Sequence, residues 1–127
     1  MQVDRFGVYV VVDQLDRSAA FYGRVFSEQP EVTMPALVGF NLGGAFFGLV
    51  AKDVYAPHVK RGDNTIPYIK LQNVEAFFEH VKQVAPESLV SAQVSVEGVF
   101  RFFRLKDPDG NVLEFFSITT STPYGGD

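Results

Sequence analysis

Apolar positions along the chain change period several times, and the changes mark out the elements. Residues 6–12, Phe-Gly-Val-Tyr-Val-Val-Val, form a largely β-branched and aromatic run, the mark of a buried strand. Beyond Asp13, Ala20, Phe21 and Val25, with Ala19, Tyr22 and Phe26 beside them, recur at helical spacing. A helix is therefore predicted over 17–26, with Asp16 as its N-cap and Pro30 closing the region. Residues 32–34 read as a short strand. Residues 36–42 and 45–51 read as two more, joined tightly by Gly43-Gly44. The polar stretch that follows, with Pro57 and Gly62, reads as a linker over 53–65. A strand over 66–71 comes next, and then a helix capped by Asn73 with Phe77, Phe78, Val81, Val84 and Ala85 on its apolar side. Pro86 ends it. Three strands over 89–96, 99–105 and 112–118 complete the pattern, and 119–127 is a loose tail rich in Ser, Thr, Pro and Gly.

The order is strand, helix, three strands, and then the same again. The class predicted is α+β, built from two βαβββ modules at about 5–52 and 66–118 within a single domain of 127 residues. The two helices do not align in one residue register, so the repeat is one of architecture. The strands at 36–42 and 45–51 are apolar on both faces, which an open antiparallel sheet with one wet side does not require. One face must cover a helix. The other is expected to line a cavity or meet a partner chain.

The most informative stretch is Lys106-Asp107-Pro108-Asp109-Gly110-Asn111, with apolar runs on both sides. Pro108 presets φ, Asp109 suits the next place and Gly110 accepts φ > 0, so a hairpin with a type I turn and a glycine bulge is predicted. If Asp107 pairs with Asn111, Arg104 lies opposite Glu114, with Phe102 and Phe116 one step along on the same face.

Composition narrows the chemistry. The net charge of −4 with no basic cluster speaks against nucleic acid, and no apolar run approaches the length of a membrane span. The first residues show no secretory pattern, so a soluble cytoplasmic protein is expected. With no cysteine, thiolate nucleophiles, disulfides and Cys-zinc sites are excluded. Thirteen Phe and no Trp make Phe the main filling material. There is no Gly-x-Ser-x-Gly, P-loop or dinucleotide fingerprint, and no Ser/His/Asp spacing suggests a triad.

The passage Val12-Asp13-Gln14-Leu15-Asp16-Arg17-Ser18-Ala19-Ala20-Phe21-Tyr22 resembles the first strand-to-helix segment of the vicinal oxygen chelate superfamily. These are the glyoxalases, bleomycin-resistance proteins, fosfomycin-resistance enzymes and extradiol dioxygenases. The stretch from Asp107 to Phe115 resembles that superfamily's closing hairpin. The resemblance implies a curved-sheet trough, often shared across a homodimer. In metal-using members it implies up to four ligands. Carried across, these fall on about Gly7, on Ile66 or Pro67, somewhere in 45–52, and on Glu114. Of these positions only Glu114 offers a ligand, and no Asp, Glu, His or Cys occurs over 32–51. His58 lies in the linker and His80 on the second helix. No metal and no cofactor are therefore expected, since a catalytic divalent site takes about three protein ligands.

The reading favoured is a metal-independent small-molecule binder, similar to the drug-sequestering branch, forming a homodimer. Its aromatic trough would be lined by Tyr9, Phe46, Tyr68, Phe102 and Phe116, with Arg104 and Glu114 as polar anchors. Phe40, Phe47 and Lys70 are further lining candidates. The alternatives are a glyoxalase-type lyase or isomerase, a cofactor-free enzyme with Glu114 as catalytic base, and an interaction protein with a filled trough. Taken singly, Arg104 and Glu114 also suit a structural ion pair, and each Phe suits core packing.

Overall fold

A computed structural model of the chain describes residues 1–59 and 65–119. They fall into two compact units, residues 1–61 and 62–127. Unit 1 runs β1 (Gly7–Val12), α1 (Leu15–Phe26), β2 (Val32–Met34), β3 (Leu37–Leu42), β4 (Ala45–Ala51) and a helical turn α2 (Lys52–Tyr55). Unit 2 runs β5 (Tyr68–Lys70), α3 (Val74–Val84), a 3-10 turn (Pro86–Ser88), β6 (Ser95–Glu97), β7 (Phe100–Lys106) and β8 (Val112–Ile118). Each is a four-stranded mixed sheet, ordered β1-β4-β3-β2 and β5-β8-β7-β6. The predicted α+β class with two βαβββ units is the observed one. No helix among the described residues is long and apolar enough to cross a membrane.

The strand period of two decides which side chains meet the helix. In unit 1, Val10, Val12, Phe40, Phe47 and Leu49 are buried with Phe21, Tyr22 and Val25 of α1. Tyr22 packs 5.0 Å from Phe47, and Phe26 packs 5.6 Å from Phe40. In unit 2, Phe78 meets Phe103 edge-on at 5.1 Å, and Phe77 lies 4.7 Å from Phe115. Leu105 and Leu113 are fully buried in the same unit.

Several boundaries differ from expectation. The first helix begins at Leu15, so Asp16 sits in its first turn and favours the positive helix end by its charge; Gln14 holds the N-cap place without a side-chain bond. Part of the expected linker is helical at Lys52–Tyr55; the rest of it from 60 to 64, and the tail beyond Thr119, lie outside the described residues. The strand expected over 89–96 is reduced to Ser95–Glu97, with Leu89 joined to Leu105 by a single bridge. The polar Ser91-Ala92-Gln93 segment turns instead, Ser91 Oγ donating to the Gln93 carbonyl at 2.9 Å. The strand expected over 66–71 is regular only at Tyr68–Lys70, because Pro67 has no N–H for the ladder.

The two units also share a register that the sequence did not reveal. Gly7 pairs with Phe46 and Phe46 with Asn41; Tyr68 pairs with Glu114 and Glu114 with Arg104. Phe46 N–H donates to the Phe6 carbonyl, and Glu114 N–H donates to the Pro67 carbonyl. Counting along the ladders, Gly7, Gly39 and Gly48 correspond to Tyr68, Phe102 and Phe116, and Phe46 corresponds to Glu114.

Candidate functional site

The closing hairpin forms as its turn chemistry requires. Asp107 is 5% exposed, and its Oδ1 accepts from Asp109 N–H and Asn111 N–H at 2.9 Å each. Its Oδ2 accepts from Asn111 Nδ2 at 2.9 Å. Gly110 takes φ 87°, and its N–H donates to the Asp107 carbonyl. Asp107 and Asp109 thus serve the turn, and the register that follows sets Arg104 against Glu114.

Arg104 Nε donates to Glu114 Oε1 at 3.0 Å on the sheet face away from α3. The pair borders a depression of about 360 Å³ in unit 2, lined by Ile66, Tyr68, Glu97, Phe100, Phe102, Arg104, Glu114 and Phe116. Phe116 stands at the centre of its rings, 5.6 Å from Tyr68 and 6.3 Å from Phe100. An apolar cup with a few converging polar groups is the usual composition of a small-molecule site.

Unit 1 carries a second depression, of about 310 Å³, lined by Arg5, Phe6, Gly7, Val8, Tyr9 and Phe46. Arg5 Nη1 donates to Glu31 Oε2 at 2.6 Å, and its Nε donates to the Gly44 carbonyl at 2.7 Å. Its guanidinium lies over the Phe46 ring, 5.2 Å from the centroid. Asn41 Nδ2 donates to Glu31 Oε1 at 3.2 Å. The bond from Arg5 holds the Glu31 carboxyl below the usual glutamate range, with Asn41 adding to it and desolvation working against it.

Of the seven lining residues read from the sequence, Arg104, Glu114, Phe102, Phe116 and Tyr68 come together in unit 2, and Tyr9 and Phe46 in unit 1. Two further candidates are corrected. Phe40 and Phe47 are buried on the α1 side, because alternation along β3 and β4 turns them away from the other face. Lys70 shares a strand face with Tyr68 but is not among the lining residues. Five lining residues were missed, Phe100 and Glu97 in unit 2 and Arg5, Phe6 and Val8 in unit 1. Phe100 stands two places before Phe102 and was open to the same alternation argument. Arg5 directly precedes the strand residues that line its depression, and Glu97 pairs with Phe100 across the β6–β7 turn, but an isolated charge at either place carries no signal of its own.

The donor set does not fit a catalytic divalent ion. Gly7, Ile66 and Pro67 carry no side-chain donor, and Glu114 is engaged by Arg104. Among the described residues no three His, Asp or Glu side chains gather in one place.

No family model matches the chain. The crystal structure of a glyoxalase/bleomycin resistance protein/dioxygenase family enzyme from Burkholderia phytofirmans PsJN superposes with a TM-score of 0.76. It is 21% identical and covers 91% of this chain and 99% of that one. This is the vicinal oxygen chelate fold. Lactoylglutathione lyase from Agrobacterium tumefaciens shares it, with a TM-score of 0.66 at 19% identity over 88% of this chain and 91% of that one. By sequence, the chain is 29% identical to the metallothiol transferase FosB of Shouchella clausii over 112 residues, 85% of this chain and 75% of that protein. The unit 2 depression presents two carboxylates, Glu97 and the Arg104-paired Glu114.

Proposed function

We propose that the protein is a metal-independent binder of a small, largely apolar molecule, with its site at the aromatic face of unit 2 carrying Tyr68, Phe102, Arg104, Glu114 and Phe116. One observation carries this reading: four rings and a single ion pair share one depression, and the positions that would complete a metal site hold no donors. The rings supply area and stacking geometry, and the pair supplies orientation. We propose a homodimer as the assembly, because large apolar side chains such as Phe6, Tyr9 and Tyr68 stand exposed on their units.

Two measurements test the reading. The first is metal analysis of the protein purified without chelator; a stoichiometric transition metal overturns it. The second is a thermal-shift screen of flat aromatic compounds against zinc, nickel and manganese ions, since any binder of the native state raises its stability by mass action. Stabilisation by a compound that Arg104→Ala and Glu114→Ala both weaken supports the site. Stabilisation by the metals alone refutes it.

A second reading is kept because of the FosB and lyase likenesses: a cofactor-free enzyme in which Glu114 takes a proton. Glu114 Oε1 accepts from Arg104 Nε, so a substrate would have to compete with that bond. Glu114→Gln separates the two readings. Turnover lost with binding kept supports the enzyme.

A further inference from the structure

The units match position for position along their ladders, and at three matched places unit 1 has glycine where unit 2 has a ring. Unit 1 fills the space so created with a side chain of its own. The Phe46 ring reaches across from β4 and lies on Gly39 and Gly48. A Cβ at Gly39 would overlap the tip of that ring, and one at Gly48 would stand 2.8 Å from both the Phe46 and the Tyr9 rings. The Arg5 guanidinium covers the outer side of the ring.

We propose that this glycine-floored slot is a binding site for one flat, electron-rich aromatic ring of a small molecule, and that Phe46 is its resident stand-in.

Interior glycines weaken a strand unless something must approach the backbone closely. Here the thing approaching is a ring, held between a glycine floor, the Tyr9 wall and an Arg5 roof. A guanidinium over a π face favours electron-rich rings, which sets the ligand class. Phe46 is suited to exchange. It is half-buried, it follows the Gly43-Gly44 turn, and its ring lies on the sheet face away from the α1 core. Swinging it out therefore leaves Phe40 and Phe47 packed. An incoming ring regains the contacts that Phe46 gives up, so occupancy is a competition between two rings for one floor.

The test is a phenol titration of the full chain followed by amide NMR, with cyclohexanol as the saturated control. In the wild type, phenol shifts the Gly39 and Gly48 amides saturably by ring current. Phe46→Ala, with its fold checked by its own amide spectrum, binds phenol at least tenfold more tightly. Cyclohexanol binds at least tenfold more weakly than phenol in both proteins. Wild-type glycine signals that phenol leaves unmoved overturn the proposal, because Phe46 is then a fixed cover of its glycines. Equal affinity for phenol and cyclohexanol overturns it as well. If Phe46→Ala does not fold, Phe46→Leu takes its place, and a failure of that variant to bind phenol more tightly than the wild type is equally fatal.

Discussion

Arg104 faces Glu114 directly across the β7–β8 ladder, joined through Nε and Oε1 at 3.0 Å, with side-chain exposures of 47% and 25%. A pair this wet adds little to folding. Arg104→Ala and Glu114→Ala are each expected to lower stability by no more than about 1 kcal/mol in urea denaturation. A much larger loss would make the pair part of the scaffold and remove the reason to place a ligand beside it.

The buried turn carboxylate is a different case. Asp107→Ala leaves two backbone N–H groups and the Asn111 amide without their acceptor. Removing a charged, buried acceptor of this kind is expected to cost about 2 kcal/mol. Asp107→Asn keeps one acceptor oxygen and is expected to cost less. Chemical denaturation of the two variants side by side checks the order.

The start of α3 is held twice. Asn73 Oδ1 accepts from Ala76 N–H at 3.0 Å, and Ser117 Oγ accepts from Val74 N–H at 2.8 Å. Asn73→Ala is expected to cost about 1 kcal/mol as a lost cap. Ser117→Ala is expected to cost about 1–3 kcal/mol, since it leaves a buried donor unpaired. Hydrogen exchange should show the first turn of α3 opening more readily in both.

Glu31 gives unit 1 an acid-sensitive contact. Its carboxyl is held below the usual glutamate range by the Arg5 bond, so the folded form binds its proton less readily than the unfolded chain does. The stability gained is fully present above the ordinary glutamate range and is lost as pH falls through the lowered value. The urea midpoint should drop between neutral pH and about pH 3, and Glu31→Gln should make that drop smaller. An unchanged drop in Glu31→Gln would assign the acid sensitivity to other carboxylates.

Local chemistry explains what the sequence made legible. The Asp107-Pro108-Asp109-Gly110 turn settled a register, and that register placed Arg104, Glu114, Phe102 and Phe116 on one face before any coordinates were known. Gly43-Gly44 did the same for β3 and β4, and both glycines have positive φ. The failures lie where tertiary contacts override local pattern. Phe40 and Phe47 were credited to a cavity because a strand apolar on both faces does not say which face the helix takes. Leu89 to Gln93 looked like strand, yet Ser91 found a nearer partner in the Gln93 carbonyl. Arg5 and Glu97 stand beside lining residues in the sequence, yet a single charge next to a strand does not say that its side chain folds over the face. The matched registers of the two units were hidden because rings and glycines trade places between them.

Ser117 is bonded in two directions, accepting from Val74 N–H and donating to the Leu71 carbonyl at 3.0 Å. It sits three residues from Glu114 on the same strand. Were β8 to slide by one place, Phe115 would be thrust out to the rim and a charged group driven beneath α3. This hydroxyl therefore acts as an alignment pin: a small, silent group, on the opposite sheet face from the cup, that keeps the right side chain presented at its edge.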